Sequence, residues 1–222
     1  AKVREINLRA VKLAREAREI AGEATFLAGS VGPIGQQLAP IGRISLAQAQ
    51  AAFQEQIEGL LEGGADLFVL ETFTNLPELL AAVAAARAVS DLPVVAQMTF
   101  AEDGLTLSAE EPSQVVQALE RAGVDVIGVN CGVGPQVALQ VLETMRPLTK
   151  LPLSGQPNAG LPARVEGRFF YFATPEYFGT FARQAADLGI AYIGGCCGTT
   201  PAHIAAMRAA LMLTTGDLAQ IN

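Results

Sequence analysis

Six apolar runs of strand length recur along this chain, and a helical period follows each one. The runs fall at 24–31, 66–73, 94–100, 124–131, 151–158 and 190–197. The helical segments fall at 45–63, 76–89, 111–122, 135–146, 175–188 and 201–213, and a further helix at 3–21 precedes them all. Strands this uniformly apolar are usually buried on both faces, as in a parallel sheet covered by helices. The alternation leaves two α/β architectures open, a doubly wound sheet and a (β/α)8 barrel. Six units do not close a barrel of eight, and the chain opens inside a helix with no initiator Met. The expectation is a (β/α)8 TIM barrel whose first two strands are absent from this chain, since a sheet ending there exposes apolar edges. One domain is expected over 1–214, with 215–222 as the start of a linker or C-terminal tail.

Local punctuation supports the same division. Ser45, Ser108 and Thr200 are suited to open helices, the last with Pro201 at the favoured first position. Gly63-Gly64, Gly123 and Gly189 stand where helices should stop. The stretch 155–167 (GQPNAGLPARVEG) is read as one long loop after the fifth run.

Half of the 222 residues are apolar and 17% are charged, enough for one sizeable core. The formal net charge is -7 and no basic run occurs, which argues against nucleic acid or an anionic membrane as partner. No apolar stretch approaches the roughly 18 residues of a spanning helix. There is no signal-peptide pattern, and the three cysteines, two of them adjacent, do not form a disulfide framework. A reduced, cytoplasmic protein is expected.

In either α/β architecture the functional groups gather at the C-terminal ends of the strands. This sequence places all three of its thiols there. Cys131 closes the run 124–131, and Cys196 and Cys197 close 190–197, just before Thr199-Thr200-Pro201. Three converging thiolates make a soft site with a vacant fourth position, the arrangement of a catalytic rather than a structural zinc. Neighbours in a regular strand face opposite ways, so Gly194, Gly195 and Gly198 are needed to let both cysteines converge. The plainer alternative is that free cysteines are simply buried.

Other strand ends supply Ser30 in the turn Gly29–Pro33, Glu71, Asn130 and Asn158. A carboxylate at Glu71 is costly unless paired, and suits a substrate ammonium group; pairing with a structural cation is the alternative. The two asparagines suit metal, substrate or plain turns. His203, the single histidine, is read as surface or cap-related and left out of the site.

These strand-end residues resemble one family. Gly128-Val129-Asn130-Cys131 followed by Gly194-Gly195-Cys196-Cys197-Gly198-Thr199-Thr200-Pro201 is similar to the zinc signature of homocysteine S-methyltransferases. Leu70-Glu71-Thr72-Phe73, Gln97-Met98-Thr99-Phe100 and Pro157-Asn158-Ala159-Gly160-Leu161-Pro162 match the family's pattern in order. The resemblance implies a (β/α)8 barrel holding Zn2+ through Cys131, Cys196 and Cys197. It implies homocysteine as substrate, its amino group bound with the help of Glu71, and Asn130 and Ser30 among the binding residues. Asn158 is the expected fourth zinc ligand when substrate is absent. The implied chemistry is activation of the homocysteine thiol as a zinc-bound thiolate for attack on a methyl donor, giving methionine. The donor is not readable; a cobalamin or folate module elsewhere in a longer protein, S-methylmethionine and betaine all remain open. Two further readings stay open, an inactive zinc-binding or scaffolding fragment and a redox protein using the Cys196–Cys197 pair.

Overall fold

The computed structural model describes residues 2–22 and 24–212, so the expected tail at 215–222 lies outside the described residues. The chain divides into two compact units, Ala1–Met98 with Gln117–Val126, and Thr99–Val116 with Ile127–Asn222.

The first unit opens with α1 (Lys2–Ala21), followed by β1 (Ala28–Val31), α2 (Leu46–Gly63), β2 (Leu67–Phe73), α3 (Leu76–Val89) and β3 (Val94–Met98). The three strands are parallel in the order β1-β2-β3, with Ser30 opposite Val69 and Val69 opposite Val95. Parallel pairing follows from the helical crossovers, which return the chain to the same edge each time. Ser45 caps α2 in a reciprocal box, its hydroxyl accepting from Gln48 N–H while Gln48 Oε1 accepts from Ser45 N–H at 2.9 Å. At the other end, Gly64 takes φ 89° and donates to the Leu60 and Leu61 carbonyls. Asn75 opens α3 by accepting from Glu78 N–H at 3.0 Å. The apolar faces close on Phe68, Leu70, Phe73, Ile57, Leu79 and Met98, with Phe53 and Phe73 at 5.8 Å between ring centroids.

Two aspartates hold the entry ends of these strands. Asp66 precedes β2 and accepts from Leu27 N–H at 2.7 Å and from Arg18 at 3.0 Å. Asp125 accepts from Val94 N–H at 2.7 Å and from Arg87 at 2.6 Å. Burial alone would raise the Asp125 carboxyl, but those two donors win and hold it below its ordinary range.

The second unit carries β4 (Val126–Cys131, from Ile127 onward), α5 (Pro135–Met145) with a 3-10 turn at Arg146–Leu148, and β5 (Leu153–Pro157). A hairpin of β6 (Ala163–Val165) and β7 (Arg168–Phe170), then α6 (Pro175–Asp187), β8 (Tyr192–Ile193) and α7 (Pro201–Met212) complete it. β4, β5 and β8 are parallel in that order, Cys131 lying opposite Pro157 and Gly155 opposite Ile193. Thr174 caps α6, and Phe178 and Phe181 are buried with their rings 6.1 Å apart. The helix α4 (Pro112–Arg121) is divided by this partition, its residues 112–116 belonging to the second unit and 117–121 to the first.

Three sequence expectations are corrected here. Ser108 does not open a helix: it sits in a turn before Ala109, which has φ 64°, and α4 begins only at Pro112. The stretch 155–167 is not one loop: β5 runs on to Pro157, and the antiparallel hairpin starts at Ala163. The last run is not a strand through 197, because only Tyr192 and Ile193 keep strand geometry. Past Gly194 the backbone leaves the ladder, with Cys196 N–H donating to Pro157 O at 2.8 Å. No helix among the described residues is long and apolar enough to cross a membrane.

Candidate metal centre

The three thiols meet in the second unit. The sulfurs of Cys131, Cys196 and Cys197 all lie within 4.8 Å of one another, the one such group of potential metal ligands among the described residues. Cys196 and Cys197 Sγ are 4.0 Å apart, and all three cysteines are free. A tetrahedral zinc with Zn–S of about 2.3 Å needs sulfurs about 3.8 Å apart, so a small contraction would seat the ion.

The backbone is bent to bring them together. Cys131 ends β4 in the left-handed region at φ 61°, a conformation that a non-glycine residue adopts only where its surroundings impose it. Adjacent Cys196 and Cys197 reach the same point because the chain has left the strand and turns at Gly198, with φ 80°. A side chain at Gly198 would stand 2.2 Å from the Tyr171 ring, and one at Gly195 would stand 2.5 Å from Thr199. Thr199 clamps the turn from its own side, its hydroxyl donating to the Cys196 carbonyl at 2.7 Å.

The protons on the sulfurs are unequally held. A hydrogen bond from Cys196 holds the Cys131 thiol below its ordinary range. The same bond, then burial, then the negative charge of Cys131 push Cys196 far up. Burial and the charge of Cys196 raise Cys197. Like charges this close cannot all ionise without a cation among them. A cation among the sulfurs would take the place of those protons.

The other expected residues fall into two places. Asn130 is fully buried on β4 and directs Nδ2 at the Cys196 sulfur, 3.7 Å away. Asn158 is 3% exposed, donates from Nδ2 to Gly132 O at 2.6 Å, and has Oδ1 buried with no hydrogen-bond partner among the described residues. An orphaned buried oxygen is expensive, and a hard or borderline cation is one group that would satisfy it. The three converging thiols fit a zinc ion, with Cys131, Cys196 and Cys197 as the residues to hold it.

Ser30 and Glu71 come together in the first unit. Ser30 Oγ donates to Glu71 Oε1 at 2.5 Å across the β1–β2 pair. The register between β2 and β3 shifts between Leu70 and Phe73, and Thr72, a β-branched residue, is forced to φ 64°. Backbone strain of this kind, beside a half-buried carboxylate, is a mark of a functional position.

Tyr171 escaped the sequence reading, and His203 caps its helix as expected but is buried rather than on the surface. Tyr171 packs its ring on Gly198, and its phenol is pushed up by desolvation and then by the charge of Cys197, Cys131 and Cys196. Nothing in the local sequence distinguishes it. His203 is buried and bonded at both ring nitrogens. Its signal was the Thr200-x-x-His203 spacing, a capping box with histidine in the third helical position.

Comparison with known proteins agrees with this geometry. The homocysteine S-methyltransferase family profile matches residues 1–211. Methionine synthase of Mycobacterium tuberculosis is 34% identical over 95% of this chain, which spans 18% of that protein. Betaine–homocysteine S-methyltransferase 1 of Bos taurus is 30% identical over 91% of the chain, which spans 53% of it. The apo crystal structure of homocysteine methyltransferase MmuM from Escherichia coli superposes with a TM-score of 0.77 at 28% identity, over 95% of this chain and 74% of that one. Its metallated form gives 0.75 at 29% identity, over 93% of this chain and 70% of that one. The fold is thus of the α/β barrel class expected from the sequence, and the chain belongs to the homocysteine S-methyltransferase family of methyltransferase enzymes.

Proposed function

We propose that this chain is the homocysteine-binding part of a zinc-dependent homocysteine S-methyltransferase that forms methionine. The observation that carries the reading is the convergence of three thiols, far apart in sequence, within 4.8 Å of one another. Zinc bound there would supply the Lewis acidity that keeps a substrate thiol deprotonated at neutral pH. The remaining work belongs to the chain's own residues. Cys131, Cys196 and Cys197 hold the ion, and the three negative charges make the site electron-rich, suited to a sulfur nucleophile rather than to hydrolysis. Asn130 donates toward the Cys196 sulfur and steadies its charge. Asn158 Oδ1 fills the fourth position when no substrate is bound. Glu71, oriented by Ser30, receives the substrate's ammonium group.

The methyl donor belongs to what surrounds the chain. The chain spans 18% of the methionine synthase relative and 53% of the betaine-dependent one. A cobalamin or folate module in the same longer protein is the donor we favour, because the methionine synthase likeness is the stronger of the two. Three unpaired thiols suit the reducing cytoplasm.

Zinc analysis of the purified, reduced chain tests the reading, with Cys131→Ala beside the wild type. About one zinc per chain, lost in the variant, is expected from three protein ligands sharing one ion. No zinc, with all three thiols open to a thiol reagent, would overturn it.

A further inference from the structure

His203 is assigned by its partners to a single tautomer. Thr200 N–H donates to Nδ1 at 3.1 Å, and a backbone N–H can only donate, so Nδ1 carries no proton. The Thr200 hydroxyl lies 2.9 Å from the same nitrogen. The proton therefore sits on Nε2, which donates to the Ala173 carbonyl at 3.0 Å. The ring is buried edge-on against Phe178, 5.0 Å between centroids.

That bond closes a circuit through the metal loop. Ala173 N–H donates to Ala159 O at 3.1 Å, and Ala159 N–H donates to Cys197 O at 2.8 Å. From Cys197 the chain runs through Gly198 and Thr199 to Thr200, back at the imidazole. Ala159 is the neighbour of Asn158, and Tyr171, two residues before Ala173, lays its ring on Gly198. His203 is the one side chain whose atoms form links of the circuit. It touches none of the three sulfurs' hydrogen bonds, yet it ties the cysteine turn, the Asn158 segment and the return of the hairpin to one another.

We infer that His203 is a positioning residue for the metal centre: its Nε2–H bond to Ala173 fixes where Cys197 and Asn158 stand. The inference rests on the zinc reading above for its purpose, and on the circuit alone for its geometry. Because a carboxamide can stand in for either nitrogen, two variants separate the links. His203→Asn keeps an acceptor for Thr200 N–H and cannot reach Ala173. His203→Gln keeps the reach and the donor. Both lose the ring against Phe178, so that loss cancels between them and the comparison sets the Thr200 link against the Ala173 link.

The test is zinc affinity by chelator competition, the spectrum of the cobalt(II)-substituted protein, and amide hydrogen exchange of the metal-free chain, on wild type and both variants. His203→Asn is expected to bind zinc about 10- to 100-fold more weakly, the range for residues that orient metal ligands. Its cobalt spectrum should shift, and exchange at Ala159 and Ala173 should quicken. His203→Gln should restore zinc affinity to within about 3-fold of wild type. Equal zinc affinity and unchanged exchange in His203→Asn overturn the inference. So do equal losses in both variants with matching falls in unfolding temperature, which would reduce His203 to a packing residue. If wild type takes up no zinc, the zinc reading fails by itself, and exchange at Ala159 and Ala173 alone decides whether His203 holds the loop.

Discussion

Asn158 donates from Nδ2 to the Gly132 carbonyl at 2.6 Å, and that single bond fixes the plane of its amide. With the nitrogen committed, Oδ1 is left buried beside the thiol cluster's strand without a hydrogen-bond partner among the described residues. If Oδ1 is the ligand displaced by substrate, Asn158→Ala changes the substrate-free state alone. The cobalt-substituted variant should show an altered spectrum without homocysteine and a wild-type one with it, and zinc affinity should drop about 10-fold. An unchanged substrate-free spectrum would count against the assignment.

Glu71→Gln separates charge from hydrogen bonding at the Ser30 pair. Glutamine keeps an oxygen for the Ser30 hydroxyl and removes the charge proposed to receive an ammonium group. Homocysteine binding, followed by calorimetry on the zinc-loaded chain, should weaken about 10- to 100-fold, the worth of one charge-assisted contact. Zinc stoichiometry should stay as in wild type, which distinguishes a lost contact from a lost metal.

Glycines with the same backbone angle should not be equivalent. Gly198 at φ 80° has the Tyr171 ring 2.2 Å from where a methyl group would stand, whereas Gly167 at φ 81° has nothing within 4 Å. Gly198→Ala combines left-handed strain with overpacking and should cost about 2–4 kcal/mol. Gly167→Ala meets the strain alone and should cost about 1 kcal/mol. Urea unfolding midpoints of the two variants decide it, and equal losses would mean the Tyr171 contact is slack.

The Asp125 clamp gives an acid dependence whose sign follows from its lowered carboxyl pKa. A group held lower in the folded than in the unfolded chain stabilises above the unfolded value, and that contribution vanishes as pH falls through the folded one. Asp125→Asn should therefore flatten the acid limb of the stability profile while staying close to wild type in fold, since it still accepts from Val94 N–H. Asp125→Ala strands that N–H and should cost about 1–3 kcal/mol near neutral pH. An acid limb as steep in Asp125→Asn as in wild type would remove the clamp from the account.

Much of this was legible in advance because it depends on local pattern. The apolar runs Val94–Ala96 and Val126–Val129 became the bodies of β3 and β4, buried along nearly their whole length. The helix starts at Ser45 and Thr200 rest on the side chains of Gln48 and His203, one turn away. The thiol triad was readable because cysteine is rare here and strand ends are where an α/β fold presents chemistry. What escaped depended on distant partners. The hairpin at 163–170 hid among Pro and Gly, although Glu166 and Gly167, with φ 48° and 81°, make its turn. The final strand shrank to two residues because both cysteines after it must face one point, which regular pleating forbids. His203 looked ordinary because the carbonyl it holds lies 30 residues upstream.

Mutation can reach the loop that carries Cys196 and Cys197 only through a narrow door. Two of the bonds that tie it down, Ala159 to Cys197 and Ala173 to Ala159, run from main chain to main chain. Exchanging the side chain of Ala159 or Ala173 leaves the groups of such bonds in place unless it brings in proline, which has no N–H to give. Exposed side chains of the hairpin region, Phe169 and Phe172 among them, can be exchanged without removing either bond. The loop is thus held by two main-chain bonds that any residue but proline can make and by one side chain, His203, that few residues can replace.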